Sequence, residues 1–273
     1  MNKKFVLQAM ALCLSIYVHA QENPSPAAPT GGGAQALADK LSNPVASLIS
    51  VPMQNNVDYG IGSYNGSKNT LNIQPVIPFS LSKNLNLVAR VILPVIDQRD
   101  ISGEKTHQTG LSDATVTGFF APANPKNGLI WGVGPAFLFP TGTNDFLSTK
   151  KWGAGPSALV LQQKNGYTFG FLVNQIWSFA GDKNRDNVNQ MFFQPFLVKN
   201  FKSGAGLVMN AEITADWQHH TTAASLNPLV TGITKLGTQI ISMGVGPRIP
   251  LAGPSGSRPD FGFRAVLTLV FPK

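Results

Sequence analysis

The chain has 273 residues, 43% of them hydrophobic, including 17 Phe, but only 12% charged, with a formal charge of +8. An ordinary soluble domain carries about 25% charged residues, and this apolar content excludes a disordered, self-repelling polymer. No run of about 20 apolar residues is present to cross a bilayer as a helix, and the basic residues lack the clustering that nucleic acid requires.

Lys3 and Lys4, the apolar stretch from Phe5 to Val18, and Val18-His19-Ala20 reproduce the three parts of a secretory leader. Residues 1–20 are therefore expected to be removed. Loss of the two lysines lowers the formal charge from +8 to +6. The only cysteine, Cys13, leaves with the leader, so no disulfide or thiol metal site is expected. Residues 21–34, rich in Pro, Ala and Gly, read as a flexible linker. Residues 35–50 read as a short helical segment, with Leu37 and Leu41 one turn apart and Asn43-Pro44 suited to cap a second turn. This segment is placed to plug the mouth of the domain that follows.

From residue 51 to 273 the dominant period is two, the mark of strands with one apolar face. Leu71, Ile73, Ile77, Phe79 and Leu81 alternate with Thr70, Asn72, Gln74 and Ser80. Leu85, Leu87, Ala89, Val91 and Leu93 continue the pattern, as do Leu129, Trp131, Val133 and Phe137, and finally Phe261, Phe263, Leu267 and Leu269. About twelve such segments of about ten residues are expected, each long enough to cross a bilayer when tilted. They begin near Pro52, Thr70, Leu85, Leu111, Leu129, Trp152, Tyr167, Asn189, Ala205, Ser225, Gln239 and Asp260. Tight turns alternate with longer loops at residues 97–110, 141–151, 180–188 and 251–259, the arrangement of an antiparallel outer-membrane β-barrel. Pro75, Pro135, Pro156, Pro195 and Pro247 fall inside these segments, where bulges or strand ends are expected.

The mid-strand charges Arg90, Glu212, Arg248 and Arg264 all take the inner phase, as the cost of a lipid-facing charge demands. Trp131, Trp152, Tyr167, Trp177 and Trp217 fall at strand ends, as a membrane-interface girdle should. The predicted lumen carries Asp58, Arg90, Asp113, Glu212, Asp216, Arg248 and Arg264, with the amides Gln74, Asn174, Gln190, Gln194 and Asn210. Three basic against four acidic groups imply no net field. Two readings stay open, a paired structural network and a solute pathway. Phe192 and Phe196 also point inward and narrow the lumen, which suits small, mostly apolar solutes.

Catalysis is not expected. After the leader the histidines are His107 in the longest loop and the adjacent His219 and His220, none at strand spacing from a Ser. Neighbours on a strand face opposite ways, so His219 and His220 do not converge on a metal, and no cofactor is implied. The repeats Gly132-Val133-Gly134-Pro135, Gly153-Ala154-Gly155-Pro156 and Gly244-Val245-Gly246-Pro247 precede no helix and are not phosphate loops. Their glycines are expected to give clearance inside the barrel.

Several stretches resemble one bacterial outer-membrane family. They are residues 37–52 (LADKLSNPVASLISVP), residues 71–81 (LNIQPVIPFSL), Trp152-Gly153-Ala154-Gly155-Pro156, Ile176-Trp177-Ser178-Phe179-Ala180-Gly181 and the closing Leu267-Thr268-Leu269-Val270-Phe271-Pro272-Lys273. The set is similar to the phenol-degradation MetA-pathway barrels, some of which carry the label neuromedin U. The resemblance implies a Gram-negative outer-membrane transporter of hydrophobic or aromatic compounds; taken with the alternation and the girdle, the expected protein is a monomer embedded in lipid. It assigns no residue a role. The alternative is a closed barrel that works through its external loops.

Overall fold

A computed structural model describes residues 32–254 and 256–271, so the leader and residues 21–31 of the linker lie outside the described residues. Helix α1 spans Gly32–Leu41. Ala34 and Ala38, one turn apart, form its buried edge, and Lys40 in the last turn suits the negative end of the helix dipole. The helix ends earlier than residue 50 for a local reason. The Asn43 side-chain oxygen accepts the Val45 amide at 3.0 Å, a competing turn, and Pro44 between them has no amide to give.

The strands are β1 (Ile49–Ile61), β2 (Gly66–Ile73), β3 (Val76–Ser80), β4 (Leu85–Arg99), β5 (His107–Leu111), β6 (Ala114–Pro122), β7 (Leu129–Phe139), β8 (Lys151–Lys164), β9 (Tyr167–Gly181), β10 (Asn189–Asn200), β11 (Gly206–Asp216), β12 (Thr221–Leu236), β13 (Gln239–Ala252) and β14 (Phe261–Phe271). β2 and β3 form one stave broken at Gln74 and Pro75; both pair with β4. β5 and β6 form another, broken at Ser112 and Asp113, and both also pair with β4. The result is twelve staves, each antiparallel to its neighbours, closed by β1 against β14 from Ile49↔Phe271 to Tyr59↔Phe261. Closure removes the free edges that would otherwise invite aggregation. The two staves with the weakest alternation, β1 and β12, are present and long.

Connections alternate in length around the rim. At one end Asn165 (φ 54°) and Gly166 (φ 74°) make a two-residue turn of the type that matches strand twist. Both ends of the described chain lie at this short-turn end. The expected loop at 97–110 is shorter than the sequence indicates, because β4 and β5 continue as a hairpin from Val95↔Leu111 to Arg99↔His107.

The prolines correct one expectation. Only Pro75 sits at a break. Pro135, Pro156, Pro195 and Pro247 lie mid-strand without a bulge. The β10–β11 ladder runs Phe193↔Ile213 and then Phe196↔Asn210, and β12–β13 runs Leu226↔Ile249 and then Val230↔Val245. The register is the same on both sides of each gap. A residue in an antiparallel strand addresses its hydrogen bonds to one neighbour only, so the missing Pro amide opens that side while the other stays paired. Pro195 still pairs with Phe171 and Pro247 with Phe263. The register shifts occur elsewhere, at Tyr59/Ile61, Trp152/Gly153 and Ala224/Ser225.

The glycines before three of these prolines have a second role besides clearance. A Cβ on Gly134, Gly155 or Gly246 would land on the neighbouring strand's backbone carbonyl, of Gly118, Gln175 and Pro228 respectively. Gly132, Gly153 and Gly244 instead face side chains of Phe119, Ile176 and Thr231.

The outer surface is a band of exposed Phe169, Phe171, Val230, Val245 and Phe263. So large an apolar band is not tolerated in water and is what lipid requires. The packed core is inside. Val88, Phe119, Ala121, Ile130, Leu159, Leu161 and Leu172 cluster around Val45, with Phe192 and Phe196 against them.

Candidate functional site

The lumen is built in layers, and the order of residues along β11 shows it. Val208 and Asn210 line a lower chamber near the short-turn end, Glu212 belongs to a charged layer, and Asp216 lines an upper chamber. The lower chamber has a volume of ≈ 280 Å³ and the upper ≈ 630 Å³.

The N-terminal segment lines the lower chamber. Val45 enters the core cluster, and a few side-chain hydrogen bonds hold the segment. Asn200 Nδ2 donates to Asp39 Oδ1 at 2.8 Å and to Ser42 Oγ at 3.1 Å. Gln163 Nε2 donates to the Asp39 carbonyl at 2.6 Å, and Asn86 Nδ2 to Ser47 Oγ at 3.2 Å. Asn200, Gln163 and Asn86 sit at the ends of strands. Their inward phase is visible in the sequence, but partners 39 to 161 residues away are not.

In the charged layer, Arg248 Nε meets Asp58 at 3.0 Å, and Arg248 Nη1 meets Glu212 Oε2 at 3.0 Å. Arg264 Nη2 meets the same Glu212 oxygen at 2.7 Å, and its Nε donates to Asn56 Oδ1 at 2.7 Å. Asn227, fully buried, accepts from Arg248 Nη1 at 3.2 Å. Four of the predicted lumenal charges thus converge. Asn56 and Asn227 were not singled out from the sequence, although Asn56 shares the inner phase of β1 with Asp58. Arg90 stands apart and donates from Nη2 to Gln74 Oε1 at 2.7 Å.

Two predicted lumenal carboxylates do other work. Asp113 accepts from the Gly142 amide (3.1 Å), Ser148 Oγ (2.6 Å) and both the amide and hydroxyl of Thr149 (2.6 Å each), and so ties the loop at 140–150 into the mouth. Phe146 and Leu147 of that loop line the upper chamber, and Arg185 donates to the Asp145 and Ser148 carbonyls. Asp216 caps its own turn, accepting the Gln218 amide at 2.9 Å, and binds His219 Nδ1 at 2.8 Å. His219 Nε2 reaches Asp186 at 3.2 Å, which links two outer loops. Asp216 and, secondarily, Asp186 hold the imidazole above its usual value. His107 lies in β5, with Nε2 2.6 Å from Asp97 Oδ2; it is not a loop residue. Gln190 lines the upper chamber and Gln194 the lower. Asn174 lies on the inner phase of β9, half-buried beside Ser157 and Phe192 in the ladder.

Lys68 corrects the charge count. It sits on the inner phase of β2 and lines the upper chamber, but the stave begins four residues before the alternation near Thr70 becomes visible. With it the interior holds Lys68, Arg90, Arg248 and Arg264 against Asp58, Asp113, Glu212 and Asp216, four charges of each sign.

The predicted girdle residues are all exposed at strand ends. Trp152, Trp177 and Trp217 are at the long-loop end, and Trp131 and Tyr167 at the other. Trp217 Nε1 donates to Gln175 at 3.1 Å, Trp152 meets Phe139 edge-on at 5.4 Å, and Lys199 Nζ lies 3.7 Å above the Tyr167 ring.

Together these features define a twelve-stranded antiparallel barrel with an apolar exterior, a charged interior layer and a segment seated in one mouth. Its fold is similar to the crystal structure of a COG4313 outer membrane channel from Pseudomonas putida F1, with a TM-score of 0.65 and 15% identity, covering 92% of this chain and 100% of that one. No family model and no curated protein matches the chain. The likeness at this identity is one of fold, and the MetA-pathway resemblance gains nothing from these comparisons beyond the barrel itself.

Proposed function

We propose that the chain is a monomeric outer-membrane channel, exported through a cleaved leader, that passes small hydrophobic or aromatic solutes passively. Residues 35–50 act as its gate. The observation that carries this reading is the N-terminal segment lining the lower of two chambers inside a closed wall, joined to it by side chains rather than by a continuous sheet. Opening breaks hydrogen bonds worth about 1 kcal/mol net each and exposes Val45 and Leu48, at about 1.5–3 kcal/mol each. The aromatic belts support a position in lipid, and the fold likeness to an outer membrane channel supports passage.

One observation favours a second reading. The Asp58–Arg248–Glu212–Arg264 chain ties β1, β11, β13 and β14 across the interior, as a closed barrel acting through its outer loops would need. Single-channel conductance of the refolded chain with and without residues 21–50 separates the two. Steps that grow on truncation are expected of the channel; silence in both forms supports the closed barrel.

A further inference from the structure

We infer that the lower chamber is a binding site for a small organic carboxylate that also carries a hydrogen-bond donor at its far end. The inference rests on the channel reading and names the solute class for its interior.

The first observation is Arg90. A guanidinium has five N–H donors, and among the described residues only the bond to Gln74 Oε1 engages them. Arg248 and Arg264 each hold a carboxylate, but Arg90 joins no ion pair among the described residues. Glu212, the acid whose charge Arg90 feels, is already shared by two other arginines. The planar fork therefore faces the chamber with donors to spare, and the other charged residue that lines this chamber, Lys40, is also a cation. That is the arrangement that recognises a carboxylate.

The second observation is independent. Asn210 Oδ1, on β11 across the barrel from Arg90 on β4, lines the same chamber; it is buried and has no hydrogen-bond partner among the described residues. A buried acceptor left unpaired is costly, and a hydroxyl or N–H on the occupant would satisfy it. The wall of the chamber includes the apolar Val76, Phe196, Leu229 and Val266, with Gln194 and Thr268 among its polar members. The volume of ≈ 280 Å³ exceeds the about 150 Å³ that accepts benzene, so one ring with two substituents fits.

The test uses 4-hydroxybenzoate and its neutral isostere 4-hydroxybenzamide, measured by equilibrium dialysis against the refolded chain in detergent. The acid is expected to bind about tenfold more tightly or better, the effect of charge-assisted hydrogen bonds. Arg90→Gln should erase that preference while leaving amide binding in place, and Arg90→Lys should keep part of it. Benzoate, lacking the hydroxyl, should bind less well than 4-hydroxybenzoate, and Asn210→Leu should remove that difference. Equal binding of acid and amide overturns the inference, as does a preference that survives Arg90→Gln. If Arg90→Gln does not refold, the comparison of acid with amide in the unaltered chain and in Arg90→Lys still decides. Conductance of the same preparation keeps the two proposals separate. Channel steps without acid preference remove the site and leave the channel; acid preference without steps removes the channel and leaves the site.

Discussion

Glu212 is the position where the interior is most exposed to a single change. Its Oε2 receives Arg248 Nη1 at 3.0 Å and Arg264 Nη2 at 2.7 Å. Glu212→Gln keeps the shape but removes the charge between two guanidiniums. Arg248 retains Asp58 and Asn227, so its loss is partial. Arg264 has no other carboxylate within reach among the described residues and keeps only Asn56, with its side chain 1% exposed. Breaking a buried pair by removing one partner costs about 3–5 kcal/mol. The 16% exposure of the Glu212 side chain admits some screening, so the low end, about 3 kcal/mol, is the expected loss. Urea unfolding of the refolded barrel in lipid vesicles, followed by Trp fluorescence, reads it directly. The double variant Glu212→Gln/Arg264→Met should recover part of the loss, because the stranded cation is gone. A loss below about 1 kcal/mol, the value of an exposed pair, would falsify the claim that this layer is desolvated.

Gly246→Ala should destabilise the barrel by about 1–3 kcal/mol through overpacking, since the new methyl meets the Pro228 carbonyl. Gly232→Ala, where a Cβ meets nothing within 4 Å, should change the urea midpoint little. Asn200→Ala removes the donors to Asp39 and Ser42 and should raise the frequency of channel openings in planar bilayers without changing the thermal stability of the wall. His219, held above its ordinary value by Asp216 and Asp186, clamps the two outer loops in its protonated form. That clamp is fully present below the histidine's unfolded value and fades as pH rises through the raised one. An NMR titration of His219 should therefore show an upward displacement that shrinks in Asp186→Asn, and an undisplaced titration would contradict the clamp.

Nearly all of the wall was legible in the sequence, for a physical reason. In a barrel each residue faces either lipid or lumen, so period two persists along every stave and the stave starts fall within a few residues of where alternation begins. β2 and β12 show the limit. Each starts four residues early, at Gly66 and Thr221, in polar segments that the alternation does not mark, and Lys68 was missed with the first of them. The prolines read as bulges because sequence shows a missing donor but not which neighbour it faces.

Inward phase is a local property, expected from the alternation for Asp58, Arg90, Glu212, Arg248 and Arg264. Pairing was not local, because it depends on shear and closure. Closure brings Arg248 to Asp58 across 190 positions, and the folded loop brings Ser148 and Thr149 onto Asp113. The barrel and its strand number follow from the residues alone, since alternation reflects the cost of placing a polar group in lipid. Which charges meet one another, that Arg90 joins no ion pair among the described residues, and that Val45 packs inside the wall emerge only in the folded chain. Those outcomes depend on distances across the barrel, which no local pattern encodes.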